Sequence, residues 1–142
     1  FPYTTLFRSV LATATRNARD LGLAERFSAR KSDWFEKVSG RYDAILSNPP
    51  YIPVSDIDAL QKEVRDFDPR RALDGGRDGL DAYRVIVDGT GQHLEPGGIV
   101  AVEIGRTQKA DVTRLFAAVD FDLIHASRDL AGNDRALVFK RR

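Results

Sequence analysis

The sequence predicts an α/β fold, in which an open parallel sheet carries helices on both faces. Three observations predict it. Strand-like apolar segments alternate with segments of helical periodicity, one strand is almost continuously apolar, and turn signals separate the elements. The chain has 142 residues, of which 42% are hydrophobic and 30% charged, proportions that suit one globular domain.

The first nine residues, FPYTTLFRS, stand apart from the rest of a chain that begins with Phe and contains no Met. Their Tyr, Thr, Leu and Phe residues favour strands, so a buried strand is one prediction. The other is a foreign leader, because a widely used sequencing adapter, translated in one frame, looks like this segment. Residues 10–142 would then form a partial domain whose upstream part is missing.

Helical spacing of apolar residues predicts a helix from Val10 to Leu21, and Gly22 stands where a helix C-cap would. Residues 27–31 predict a short strand, although charged residues interrupt it. The next strand, YDAILS at Tyr42–Ser47, must end at Asn48-Pro49-Pro50, because prolines cannot donate to a ladder.

The middle of the chain predicts two helices and a buried strand. A short helix is expected around residues 56–64, with Ser55 or Asp56 as its cap. Apolar spacing predicts a longer helix over residues 80–94, ended by the Pro-Gly-Gly at residues 96–98. The run IVAVEI at residues 99–104 is typical of a strand covered on both faces.

The last third predicts an amphipathic helix over residues 107–119 and strands over residues 121–127 and 135–140. These two strands are close enough in sequence to pair antiparallel at one side of the sheet. In open α/β sheets, ligands bind outside the carboxyl ends of the strands. Two positions follow predicted strands directly, Asp33-Trp34 and Asn48 to Tyr51.

Composition excludes several classes of function. The net charge of +1 gives no basic excess for nucleic-acid binding, and no apolar run approaches the roughly 20 residues of a membrane span. The absence of Cys excludes disulfides, thiol nucleophiles and zinc-thiolate sites, and fits a reducing cytoplasm. His93 and His125 lack a metal-ligand spacing, so no metal is expected. A monomer is expected.

Asn48-Pro49-Pro50-Tyr51 is the most specific motif in the chain. With each residue type near 5% of usage, it arises by chance in about one chain in a thousand of this length. One interpretation is purely structural: the motif is a polar turn that ends a strand. The functional alternative is methylation of a planar nitrogen, whose delocalised lone pair makes it a poor nucleophile.

Such a site helps by accepting both N–H hydrogens of the planar group on fixed oxygens. The Asn48 side-chain carbonyl would be one acceptor and the Pro49 backbone carbonyl the other. Prolines restrict the backbone on both sides of that carbonyl. Tyr51 would stack on the planar group. The barrier then falls through positioning and oriented dipoles, so no strong general base is required.

Longer motifs surround this tetrapeptide: NPPYIP (48–53), FDPRRALDGGRDGLDAYR (67–84), LEPGG (94–98), EIG with Gln108, and DLAGNDR (129–135). Together they resemble the peptide chain release factor N5-glutamine methyltransferase (PrmC/HemK) family. The similarity runs in collinear order from about Val10 to Phe139.

The resemblance implies a Rossmann-like, class I methyltransferase sheet that uses S-adenosyl-L-methionine. It implies a protein substrate, the GGQ glutamine of class I peptide chain release factors. On the family pattern, Asn48, Pro49, Pro50 and Tyr51 hold the glutamine, and Asn48 also lies against the methyl donor. Trp34 would flank the adenine, and Asp33 is a candidate partner for the adenine amine.

The chain also departs from the family pattern. The first strand, the Gly-rich loop after it and the helical amino-terminal domain are absent from the sequence. The resemblance therefore implies a carboxyl-terminal fragment, truncated at its amino-terminal end, that is inactive and binds the cofactor poorly on its own.

Two other functions stay open at this point. An adenine-N6 nucleic-acid methyltransferase would apply the same chemistry to a flipped base, although the near-neutral charge argues against it. A non-catalytic domain with the same fold is the other.

Glu103, which interrupts an apolar strand, is either a polar group facing the site or a buried carboxylate bonded to backbone.

Overall fold

Residues 2–142 are described by the computed structural model, with side chains from Val10 onward, so Phe1 lies outside the described part. The chain divides into two units, one ending at Ser39 and one running from Gly40 to Arg142.

The first unit begins with helix α1 (Pro2–Asp20). Gly22 adopts a φ of +71°, and its N–H donates to the carbonyl of Arg19 while the N–H of Leu23 donates to that of Ala18. This pair of bonds is a Schellman motif, which confirms the predicted helix end at Gly22. The predicted strand is wrong for residues 2–9, where a helix supplies the backbone hydrogen bonds within the segment itself.

The predicted strand over residues 27–31 is also wrong. A one-turn 3₁₀ helix (Ala24–Arg26) precedes it, and residues 27–32 have no regular structure. A strand needs a neighbour to complete its ladder, and the described sheet pairs only other segments. Asp33 and Trp34 therefore follow irregular chain, in a turn where the N–H of Glu36 donates to the carbonyl of Asp33.

The second unit is built on a four-stranded sheet in the order β1-β2-β4-β3. Strands β1 and β2 are parallel, whereas β4 is antiparallel to both β2 and β3. The antiparallel pairing predicted for the last two strands is confirmed, and the parallel part of the described sheet is the β1–β2 pair. The strands are β1 (Tyr42–Ser47), β2 (Leu94–Glu103), β3 (Phe121–Arg128) and β4 (Asp134–Arg141).

Strand β2 begins five residues before its predicted start. Leu94 pairs with Tyr42 and Ile99 with Ala44, so the extra residues between Leu94 and Ile99 form an irregularity opposite one residue of β1. Gly97 lies in this irregularity at a φ of +78°, a conformation that glycine adopts without strain. The prediction that Pro-Gly-Gly ends the helix is wrong: α4 ends at His93, and the segment at residues 96–98 lies inside β2.

The connection from β1 to β2 contains a 3₁₀ helix (Val54–Ala59) and helices α2 (Lys62–Phe67), α3 (Arg70–Leu73) and α4 (Asp81–His93). The helix predicted over residues 56–64 is thus two short helices, and no side chain caps the first of them. Helix α5 (Lys109–Ala117) joins β2 to β3, within the range predicted for it.

One face of the sheet and helices α4 and α5 enclose the core of the second unit. Phe116 of α5 stacks on Phe139 of β4 with ring centroids 4.1 Å apart, and meets Phe121 edge-on at 5.7 Å. Tyr83 of α4 and Val102 of β2 belong to the same buried cluster. The core holds β1 and β2 side by side, so their carboxyl ends lie at the same edge of the sheet.

None of the described helices is long and apolar enough to cross a membrane.

Candidate functional site

The candidate site begins where β1 ends, at Asn48–Tyr51, here named the NPPY turn. Asn48 is exposed, Pro49 is buried and Tyr51 is half-buried. The Asn48 amide makes no hydrogen bond to another residue that the structure describes, so its oxygen and nitrogen are available to a ligand. The two prolines fix φ at their own positions and confine the residue before each to extended backbone.

Glu103 faces the site, which decides between the two alternatives considered for it. It is the last residue of β2, and its carboxylate accepts a hydrogen bond from the Tyr51 hydroxyl at 3.2 Å. Burial raises the pKa of the Tyr51 phenol, and the negative charge and hydrogen bond of Glu103 raise it further. The charge of Arg135 acts in the opposite direction. Tyr51 is therefore held as a neutral phenol with a fixed ring.

The chain after the NPPY turn is clamped to a loop that precedes α4. We name this loop, residues 73–79, the support loop. The N–H of Ile52 donates to the carbonyl of Leu73 at 3.0 Å, and the N–H of Gly75 donates to the carbonyl of Ile52 at 2.9 Å. A third bond runs from the N–H of Val54 to the carbonyl of Gly76 at 2.9 Å. Backbone bonds thus anchor the carboxyl end of the turn.

Glycines allow the support loop to approach the turn this closely. A β-carbon on Gly75 would lie 2.9 Å from the carbonyl carbon of Tyr51, and one on Gly79 would lie 2.5 Å from its oxygen. Both distances are shorter than real β-carbons tolerate. Gly79 also has a φ of +74°. Because glycine has no β-carbon, these two positions make room for the backbone of Tyr51.

Gln108 joins three parts of the site, a role that the sequence does not reveal. It precedes α5 and is 8% exposed. Its Nε2 donates to the carbonyls of Tyr51 and Gly79, each at 3.0 Å, and its Oε1 accepts from the N–H of Gly105 at 2.9 Å. The sequence gives Gln108 only as a residue shared with the family motif, and its burial and its distant partners arise from the packing of the folded chain.

The loop between β3 and β4, which carries the DLAGNDR motif, is ordered by Asp129. This carboxylate accepts hydrogen bonds from the N–H groups of Ala131 and Asn133, both at 2.9 Å, and from Nε of Arg135 at 3.0 Å. These bonds, led by those of Asn133, lower the pKa of Asp129 to about 2. The carbonyl of Arg135, the second residue of β4, accepts a hydrogen bond from the N–H of Ile104, which places the start of β4 beside the end of β2.

Asp33 and Trp34 belong to the first unit, which ends at Ser39. The Trp34 side chain is 39% exposed, and its backbone has a φ of +46°. An aromatic residue rarely adopts this left-handed conformation, which costs about 1–3 kcal/mol. In residues 2–142, no group of three or more His, Cys, Asp or Glu side chains is placed to hold a metal ion.

Comparison with known proteins shows which curated proteins the chain is similar to. No protein-family model matches the chain. The curated release factor glutamine methyltransferase of Agrobacterium fabrum is 50% identical to it over 131 residues, covering 92% of the chain and 45% of the relative. That of Rhodospirillum rubrum is 47% identical over 129 residues, covering 91% and 40%. Over more than nine-tenths of its length, the chain is similar to release factor glutamine methyltransferases.

This similarity confirms the family resemblance that the NPPY and DLAGNDR motifs indicated. The chain spans about half the length of the curated relatives that it matches. The matched residues include both units, because more than nine-tenths of the chain is covered.

Solved structures confirm the predicted fold class. A ribosomal protein L11 methylase from Lactobacillus delbrueckii subsp. bulgaricus aligns with a TM-score of 0.65 at 16% identity, over 93% of this chain and 52% of that one. TrmN from Thermus thermophilus aligns with a TM-score of 0.63 at 20% identity, over 95% and 34%. At such identities the likeness concerns the fold alone, which is α/β.

Proposed function

We propose that the complete protein containing these residues transfers a methyl group from S-adenosyl-L-methionine to the glutamine side-chain amide of the GGQ motif in class I peptide chain release factors. The observation that carries the proposal is the exposed, unbonded amide of Asn48, placed at a strand end beside the rigid, buried Pro49. The names of the homologues support the choice of substrate.

In this proposal the NPPY turn binds and orients the substrate amide. The side-chain oxygen of Asn48 and the backbone carbonyl of Pro49 accept one N–H each. Both oxygens then draw electron density toward the amide nitrogen and hold its lone pair along the line of transfer. Because the backbone acceptor lies between two prolines, it reorganises little when the substrate binds.

Tyr51 supplies a flat surface for the substrate amide. Its hydroxyl is bonded to Glu103, so the ring orientation is fixed before the substrate arrives. A neutral phenol with a raised pKa is a poor proton acceptor at ordinary pH. Tyr51 is therefore proposed to orient the substrate rather than to remove its proton.

The residues present fit part of the cofactor. S-adenosyl-L-methionine would supply an electrophilic methyl group, and the exposed Asn48 amide suits the methyl-bearing end. In the first unit, taken by itself, the exposed Trp34 indole suits an adenine ring, and Asp33, its neighbour in sequence, is the proposed partner for the adenine amine. No strand in the described residues is followed directly by a Gly-rich loop that would hold the methionine part.

A methyl-transfer assay tests the proposal. The complete protein would be incubated with labelled S-adenosyl-L-methionine and a class I release factor, with a release factor lacking the GGQ glutamine, or with adenine-containing duplex DNA. Label should enter the intact release factor alone. Transfer to DNA but not to the release factor would assign the site to a nucleic-acid methyltransferase, and no transfer to either would support a non-catalytic domain.

A further inference from the structure

Gln108 is an unusual side chain for its position, because it is polar, buried and placed just before helix α5. Burying an amide is unfavourable unless its hydrogen bonds are made. Here both N–H hydrogens and the oxygen are bonded to backbone groups of three separate segments. The bond to Gly105 is local, because the N–H of Gln108 also donates to the carbonyl of Gly105 at 3.0 Å, whereas the bonds to Tyr51 and Gly79 reach distant segments.

The chemistry of these partners fixes the orientation of the amide. The N–H of Gly105 only donates, so it must face the oxygen of Gln108. The carbonyls of Tyr51 and Gly79 only accept, so they must face the nitrogen. The Tyr83 hydroxyl lies 3.4 Å from the same Gln108 oxygen but donates over 2.8 Å to the backbone carbonyl of Glu103.

We propose that Gln108 is a positioning residue for methyl transfer, acting through the carbonyl of Tyr51 to hold the NPPY turn. The inference rests on the proposed function. The amino end of the turn is fixed by the strand that ends at Ser47, and the chain beyond it by the bonds of Ile52. The carbonyl of Tyr51 lies between these anchors, and Gln108 fixes it by a side-chain bond.

Losing this bond would affect the substrate acceptors directly. The backbone of Tyr51 is separated from the Pro49 carbonyl only by Pro50, whose φ is fixed. Rotation at Tyr51 would therefore move the acceptor carbonyl and the aromatic ring together. A displacement of about 1 Å at reacting groups lowers rates by about 100-fold.

The test compares variants of the complete protein. Gln108→Met keeps the length of the side chain but removes its hydrogen bonds, and Gln92→Met is the control at an exposed position of α4. We expect Gln108→Met to lower kcat by about 10- to 100-fold while KM for S-adenosyl-L-methionine is unchanged. The control variant should match the parent protein in both constants.

Gln108→Glu provides a second variant of nearly the same shape. Its carboxyl can donate to one carbonyl when protonated, but repels both carbonyls when ionised. The kcat of Gln108→Glu, divided by the kcat of the parent protein at the same pH, should therefore fall as pH rises. Unchanged kcat in folded Gln108→Met, or a Gln108→Glu profile parallel to the parent's, would overturn the proposal.

Amide hydrogen exchange separates this proposal from the proposed function. In Gln108→Met, exchange at Ile52 and Gly75 should accelerate, while exchange at Val102 in the sheet should stay the same. If the parent protein transfers no methyl group but these amides respond as expected, the proposed function fails and the positioning role of Gln108 stands. If exchange at Ile52 and Gly75 does not change, the positioning role fails.

Discussion

The hydroxyl of Tyr51 donates a hydrogen bond to the carboxylate of Glu103 across 3.2 Å, which joins the turn after β1 to the last residue of β2. The two residues are 52 positions apart in sequence and meet because their strands are parallel neighbours. The bond fixes the Tyr51 ring and contributes to the raised pKa of the phenol.

Glu103→Gln should lower the pKa of Tyr51, because it removes a negative charge beside the phenol. The pKa should stay above its usual value, since burial is the largest cause of the shift. Tyrosinate absorbance followed against pH measures this, with Tyr51→Phe to assign the titration step. Glu25→Gln, at an exposed position of the first unit, is the control. An unaltered Tyr51 step in Glu103→Gln would contradict the assignment.

The raised pKa of Tyr51 also makes the stability of the protein depend on alkaline pH. The pKa of Tyr51 is raised in the folded protein, so folding favours the neutral phenol. This contribution is fully present below the unfolded pKa of about 10 and is lost as pH rises through the folded pKa. At alkaline pH, the free energy of unfolding measured with urea should therefore fall less steeply with rising pH in Tyr51→Phe than in the parent protein.

Asp129 should make stability depend on acid pH. Its pKa of about 2 is below that of an unfolded Asp, so its stabilising bonds are present above pH of about 4 and are lost as pH falls toward 2. Asp129→Asn should flatten the dependence of the urea midpoint on pH in this range. Asp88→Asn, at an exposed position of α4, should retain it. Identical profiles for the two variants would refute the prediction.

Two glycine-to-alanine changes should have opposite effects on stability. Gly79→Ala places a methyl group 2.5 Å from the carbonyl of Tyr51 at a φ of +74°, and should destabilise by about 1–3 kcal/mol. Gly91→Ala lies within α4, where an added β-carbon meets nothing within 4 Å, and should stabilise by about 0.5–1 kcal/mol. Urea denaturation measures both. Destabilisation of equal size in the two variants would show that crowding at Tyr51 is not the cause.

The sequence predicts the parts of the fold that depend on local periodicity. Helix α5 and strands β3 and β4 lie where apolar spacing places them. Strand β1 ends at Ser47, just before the Asn48-Pro49-Pro50 segment predicted to end it. The strand predicted over residues 27–31 is wrong because short propensity signals do not reveal whether a ladder partner exists. The early start of β2 depends on its pairing with Tyr42, a contact between distant segments.

The candidate site likewise contains residues that the sequence identifies and residues whose roles only the structure shows. Asn48 and Tyr51 are identifiable because four adjacent residues form a specific motif. The contributions of Gln108 and Gly79 depend on hydrogen bonds and close contacts to Tyr51, which lies 57 and 28 positions away from them. Such contacts arise only when α5 and the support loop pack against the turn, so no local pattern predicts them.

Methyl transfer by Asn48→Ala tests the central claim most directly. The complete protein, its Asn48→Ala variant and an Asn17→Ala control at an exposed position of α1 would be assayed on a class I release factor, with mass spectrometry locating the methyl group. Loss of one acceptor should reduce kcat by about 100- to 1,000-fold without loss of folding, and the control should stay at the parent rate. A folded Asn48→Ala variant that methylates the GGQ glutamine at the parent rate would contradict the account.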